Sequence, residues 1–138
     1  MRASRCKTLR WSGLSRTIKL VCRSCSEEYE SRLLYICPKC LGALEVNYEG
    51  VSVSRSSFES RERSIWRYLE LLPIEDRGNV VDIGSGSTPL VRAYRLGEEL
   101  GIRKLYIKND TLNPTFSFKD RPTSVAVSKG SELGRDTW

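Results

Sequence analysis

Four of the five cysteines stand as two pairs, Cys22-Arg-Ser-Cys25 and Cys37-Pro-Lys-Cys40, with eleven residues between them. A Cys-x-x-Cys turn is tight enough to aim two thiolates at one ion, and two facing turns complete a closed tetrahedral zinc shell. Such a site leaves no open position for a substrate. Its metal is therefore structural and stabilises a segment too short to have a core of its own. Redox pairs or two local disulfides are the alternatives. A redox pair normally opens a helix after a strand, and a cytoplasmic setting argues against structural disulfides. Cys6 has no partner in the pattern and reads as a free thiol.

A second kind of chemistry is offered by Asn113-Pro114-Thr115-Phe116-Ser117-Phe118-Lys119-Asp120-Arg121. Lys119 falls near the start of a helix, where the dipole disfavours positive charge. Partial burial beside Phe116 and Phe118 would act in the same direction, towards a neutral amine. Such a lysine can condense with an aldehyde cofactor. On these grounds alone a solvated surface lysine, paired with a neighbour such as Asp120, explains the residues better. A third candidate is Val80-Val81-Asp82-Ile83-Gly84-Ser85-Gly86-Ser87-Thr88, a strand-Asp-Gly-x-Gly order that also opens the pocket of S-adenosylmethionine methyltransferases. Here Thr88 replaces the usual third glycine, and Pro89-Leu90 stands where a helix should begin to pack. There is no histidine, which excludes Ser-His-Asp and Cys-His catalysis and His-ligated metals. Proton transfer falls to Lys, Asp, Glu, Tyr or Cys.

The elements that must position these groups fall in sections. Residues 1–17 are a basic arm. Residues 18–49 hold the four cysteines among β-prone runs at Ile18–Val21, Leu33–Ile36 and Leu44–Tyr48. Residues 50–63, rich in Ser and Arg, read as a linker. Residues 64–138 are mixed α/β. Within them Ser64 precedes a short helix stopped by Pro73, and Val80–Ile83 reads as a strand. Ala93–Leu100 is helical with Gly101 as its C-cap, and Lys104–Lys108 alternates as a strand. Ser117 can cap a helix that begins close to Lys119, since Pro122 suits only a first turn, and that runs to about Leu133 before Gly134. The strand expected after Gly134 does not follow, so the chain reads as the first, incomplete part of an α/β domain.

The formal charge of +6 is unevenly placed. Residues 1–23 carry seven basic residues and no acid, leaving 16 basic against 17 acidic residues elsewhere. A basic arm beside a zinc ribbon can bind nucleic acid through phosphate contacts, but a solvated, poorly ordered terminus accounts for it better. No apolar run approaches the ~18–20 residues of a membrane span, and no secretory signal is present. A cytoplasmic protein is the expectation.

Taken together, the motifs resemble the threonine synthase family of fold type II, tryptophan-synthase-like pyridoxal-phosphate enzymes. Asn113-Pro114-Thr115 with Ser117-Phe118-Lys119-Asp120-Arg121 resembles the family's cofactor-lysine segment. Ser64-Ile65-Trp66-Arg67-Tyr68 resembles its serine-x-tryptophan-arginine-tyrosine segment, and Gly86-Ser87-Thr88-Pro89-Leu90 its glycine-x-threonine-proline-leucine turn. Leu100-Gly101-Ile102 before Leu105-Tyr106-Ile107-Lys108 fits the strand ahead of the lysine loop. Some members also carry a four-cysteine knuckle. The resemblance covers residues 18–134 in order. Two positions depart from it: the family often has Glu where Ser85 stands and Gly where Phe116 stands.

The resemblance implies a lyase converting O-phosphohomoserine and water into threonine and phosphate. Lys119 would hold pyridoxal 5'-phosphate as a Schiff base with Phe118 beside it, and Cys22, Cys25, Cys37 and Cys40 would hold zinc. It implies a homodimer for the full-length form. The family's carboxylate-binding loop, Gly-rich phosphate cradle and pyridine-facing hydroxyl all lie beyond the lysine helix and have no counterpart here. The chain is therefore expected to be a truncated, inactive N-terminal fragment. Cysteate synthase, threonine or serine dehydratase, and a non-enzymatic zinc-ribbon nucleic-acid-binding protein are the other readings.

Overall fold

The computed structural model describes residues 16–135. Most of the basic arm, and Cys6 with it, lies outside the described residues. The chain divides into two units between Ser52 and Val53.

The first unit is a three-stranded antiparallel sheet in the order β2-β1-β3, formed by β1 (Thr17–Cys22), β2 (Glu28–Glu30) and β3 (Leu44–Glu49). In β1 the period-two face of Ile18, Leu20 and Cys22 buries its two ends, Ile18 and Cys22, as expected of a strand with one face on the core. The register sets Lys19 beside Glu30 on one side and Asn47 on the other. Its amine reaches Glu28 and Glu49, each at 3.0 Å. The strand anticipated at Leu33–Ile36 is absent. A tight turn, with the Leu34 amide donating to the Arg32 carbonyl at 2.9 Å, breaks the chain there and delivers it to Cys37.

The second unit begins in the stretch read as a linker, which contains α1 (Ser56–Glu59). A 3-10 helix follows at Ile65–Leu71, and the Ser64 hydroxyl accepts from the Trp66 amide at its start. Arg61 pairs with Glu70, which is buried, and also donates to the Arg67 carbonyl. After a 3-10 turn at Arg77–Asn79 come β4 (Leu90–Arg92), α2 (Tyr94–Glu99), β5 (Tyr106–Lys108) and α3 (Asp120–Glu132). Strands β4 and β5 pair antiparallel, with Val91 opposite Ile107. Every residue of both strands is exposed. Among the described residues of this unit the buried large apolar side chains are Trp66 and Ile74. No described helix is long and apolar enough to cross a membrane.

Val80–Ile83 is not a strand. Its backbone is held by hydroxyl groups of α3 in place of a ladder: Ser128 Oγ accepts from the Val81 amide at 2.8 Å, and Ser124 Oγ donates to the Val81 carbonyl at 2.6 Å. Ser128 also donates to the Ser124 carbonyl. A small-residue face on α3 lets another backbone come this close. Downstream, Pro89-Leu90 opens a strand and not a helix, so the Gly-x-Gly turn lacks the helix N-terminus that a dinucleotide or S-adenosylmethionine pocket uses.

Candidate active site and metal centre

The candidate metal centre is built by two turns with one hydrogen-bond pattern. The Cys22 carbonyl accepts from the Ser26 amide and the Cys37 carbonyl from the Leu41 amide, each at 2.9 Å. The Cys22 amide donates to Glu27 O and the Cys37 amide to Gly42 O, again at 2.9 Å. Ser26 and Leu41 both take left-handed φ, 58° and 60°, which turns each knuckle back on itself. Gly42 is required by close approach, since a Cβ there would lie 2.6 Å from Ser24 Oγ and 3.0 Å from Cys22 Sγ.

These turns bring the four predicted ligands together. All four sulfurs lie within 4.8 Å of one another, with Cys22–Cys40 at 3.4 Å and Cys25–Cys37 at 3.7 Å. A tetrahedral ion at about 2.3 Å from each sulfur sets the sulfurs about 3.8 Å apart, so the quartet fits a metal. Its electrostatics agree. The Tyr29 hydroxyl, 3.1 Å from Cys37 Sγ, brings the Cys37 thiol down to about 6 against the opposing effect of burial. Cys40 is pushed up to about 12: the Gly42 amide pulls it down, but the Cys22 and Cys25 sulfurs outweigh that. Thiols this close resist ionising together unless a cation joins them.

In the second unit, Lys119 is the residue immediately before α3, and the Ser117 hydroxyl accepts from its amide at 3.2 Å. The loop ahead of it is fastened at both ends. Asp120, buried, accepts from the Thr115 amide at 2.8 Å and from the Thr115 hydroxyl. Asn113, also buried, accepts from the Gly86 amide at 3.0 Å and donates to the Asp110 carbonyl at 2.9 Å. Gly86 must be glycine: its φ is +92°, and a Cβ would fall 2.4 Å from Ile65 Cγ2.

Arg121, one turn into the lysine motif, grips Asp110 through both guanidinium nitrogens at 2.7 and 2.8 Å and reaches Thr88 Oγ1 at 3.0 Å. Thr88 in turn donates to Asp110 at 2.7 Å, and Lys108 Nζ donates to the Thr88 carbonyl. Arg121 foremost, with Thr88, holds the Asp110 carboxyl down at about 2. Because that value lies below the ordinary ~3.9, the clasp's contribution is complete above pH ~4 and is lost as pH falls through about 2. Amide protection at the start of α3, relative to the intrinsic exchange rate at each pH, is expected to drop between those limits in the native chain. In Asp110→Asn the protection should be lower at neutral pH and insensitive to that window. A native chain with no acid limb there would dismiss the clasp.

Two expectations about Lys119 are corrected. It is not partly buried: Lys119 is exposed, with Phe116 and Phe118 at 77% and 57% exposure, because no described element covers this loop. Nor does it pair with Asp120, whose carboxylate is taken by Thr115. Its ammonium sits 4.7 Å from the centre of the Phe118 ring. The result is a primary amine at a helix start with no carboxylate partner among the described residues, which fits condensation with an aldehyde. Phe116 holds φ +60°, a conformation that favours the glycine common at this place in the resembling family. Residue-by-residue reading missed Asp110 and Tyr29 and placed Thr88 in a turn without its partners, because these roles appear only when separate segments meet.

Residues 81–137 match the family model described as "Pyridoxal-phosphate dependent enzyme". That segment is therefore similar to pyridoxal-phosphate-dependent enzymes. The wider chain is similar to curated threonine synthases. It is 43% identical over 118 residues to that of Methanocaldococcus jannaschii, covering 82% of this chain and 29% of the relative. With that of Methanosarcina acetivorans it shares 41% identity over 121 residues, 86% of this chain and 29% of the relative. With the Halalkalibacterium halodurans enzyme the figures are 40% over 79 residues, 54% and 22%. The chain thus spans less than a third of the length of these relatives. No solved structure matches it. The matched segment contains Lys119 and the whole Thr88–Asp110–Arg121 clasp, while the cysteine quartet precedes it.

Proposed function

We propose that this chain is the cofactor-lysine portion of a threonine synthase-like lyase, which turns O-phosphohomoserine and water into threonine and phosphate. The observation that carries the reading is the exposed, carboxylate-free amine of Lys119 on a loop fastened to the Gly86–Leu90 turn by Asn113, Asp110 and Arg121. Similarity to threonine synthases of 41–43% over most of the chain supports the choice of reaction. Lys119 Nζ would hold the aldehyde carbon of pyridoxal 5'-phosphate, with the Phe118 ring alongside. Nζ would also carry protons to and from the substrate. The bound cofactor withdraws electrons from the attached substrate, which is what allows phosphate to leave. Asp120 and Arg121 orient the loop and helix that present Nζ.

The substrate is proposed on similarity, and cysteate synthase or a threonine or serine dehydratase would use the same lysine chemistry. A homodimer and a cytoplasmic setting are part of the proposal. No turnover is expected from this chain alone, because no phosphate-holding loop surrounds Lys119 among the described residues. Phosphate release from O-phosphohomoserine by the purified chain would overturn that part. We assign structural zinc to Cys22, Cys25, Cys37 and Cys40. Lys19, Arg23 and Lys39 are each ion-paired with glutamates, which favours a structural role over a nucleic-acid one.

The test is to incubate the chain with pyridoxal phosphate, reduce with borohydride and map the labelled peptides. Lys119 is expected to dominate the label and Lys119→Ala to abolish that signal. Lys19, Lys39 and Lys129 are engaged by carboxylates, and Lys108 by a carbonyl. Label spread over Lys104 and Lys119 alike would remove Lys119 from its assigned place.

A further inference from the structure

Strand β2 carries one residue that reaches the cysteine quartet. Tyr29 lies opposite Leu20 of β1 and is half-buried, and its hydroxyl oxygen stands 3.1 Å from Cys37 Sγ. Cys37 has no exposed surface, so water does not compete for that sulfur. A metal-bound thiolate has no proton to give, which leaves the phenol O–H as the donor and the sulfur as the acceptor. The other described outside donors to quartet sulfurs are backbone amides, among them Ser24 on Cys22 Sγ at 3.4 Å and Gly42 on Cys40. The hydroxyl of Tyr29 is the side-chain donor among those described, and so the one that a substitution can remove.

We infer that Tyr29 is a positioning residue for the metal, donating a hydrogen bond that fixes the Cys37 side chain and draws electron density off its sulfur. The inference rests on the reading of the four cysteines as a metal site. Outer partners of this kind orient ligands and tune the ion, and losing one typically weakens binding about 10- to 100-fold. Removing the hydrogen bond also raises the energy of the sulfur lone pairs. Sulfur-to-metal charge transfer should then move to lower energy, which a purely structural role would not cause.

The experiment compares the full chain with Tyr29→Phe, and with Tyr35→Phe as a control at an 82% exposed tyrosine. Each is loaded with cobalt(II) for spectra and with zinc(II) against a chromophoric chelator for affinity. Tyr29→Phe is expected to bind zinc about 10- to 100-fold more weakly and to shift its cobalt charge-transfer band to lower energy, with Tyr35→Phe unchanged. Should Tyr29→Phe match the native chain in both readouts, the role of Tyr29 is wrong and the metal site stands. Weaker binding without a band shift would also overturn it, leaving only packing. Failure of the native chain to take up cobalt in a tetrahedral thiolate site would remove the metal reading itself.

Discussion

Treatment with a strong chelator is expected to unfold Thr17–Glu49 outright. The first unit buries very little: Ile18, Cys22 and Cys37 are its buried apolar residues among those described, and two of the three belong to the cysteine quartet. Three short strands with mostly wet faces do not offset the entropy of ordering about thirty residues, at roughly 1–2 kcal/mol each for the backbone. A structural zinc supplies an apparent ~10–16 kcal/mol, comparable to the whole stability of an ordinary domain. Amide hydrogen exchange resolved by peptide is the measurement. Protection across β1 and β3 should vanish with a strong chelator and return with zinc, and Cys37→Ser should mimic the chelator. Protection in α3, which draws on its own hydrogen bonds, is the internal reference. Undiminished protection in β1 and β3 without metal would show that the four sulfurs are a bystander.

Asn113→Ala is expected to cost the second unit about 3 kcal/mol, the sum of a lost hydrogen bond and an orphaned Gly86 amide in a buried place. Asn113 is 2% exposed and its side chain joins the Gly86 amide to the lysine loop, beside the Thr88–Asp110–Arg121 clasp. A unit whose buried large apolar residues are Trp66 and Ile74 has little reserve against such a loss. Asn113→Asp keeps the acceptor for Gly86 but not the amide donor to Asp110, so it should fall between the native chain and the alanine variant. Denaturant unfolding, followed by exchange in α3, reads the order of the three proteins. An alanine variant within about 0.5 kcal/mol of native would mean that the loop is held by something else.

Much of this was legible in the chain itself. The cysteine spacing named the quartet, since two Cys-x-x-Cys turns have few ways of facing each other. Pro122 limited where α3 could start, and Asp120 is its first residue. Gly101 and Gly134 marked helix ends, and both take left-handed φ. What stayed hidden depends on contacts between distant segments. Val80–Ile83 has strand composition, yet it meets two serines on α3 in place of a neighbouring strand. Leu33–Ile36 has strand composition too, but it is consumed in turning the chain towards Cys37. Phe116 and Phe118 read as burial for Lys119, and burial needs a second surface that local sequence cannot supply. Thr88 and Asp110 are 22 residues apart, and no periodicity links them.

Helix α3 turns Asp120, Ser124, Ser128 and Gly130 inward, a seam of polar and small groups fastened by hydroxyls. Melting such a seam releases almost no oily surface to water, so it adds little to the heat capacity of unfolding, which scales with apolar exposure. The stability of the second unit should therefore follow a shallow curve, fading gradually on warming and changing little in the cold.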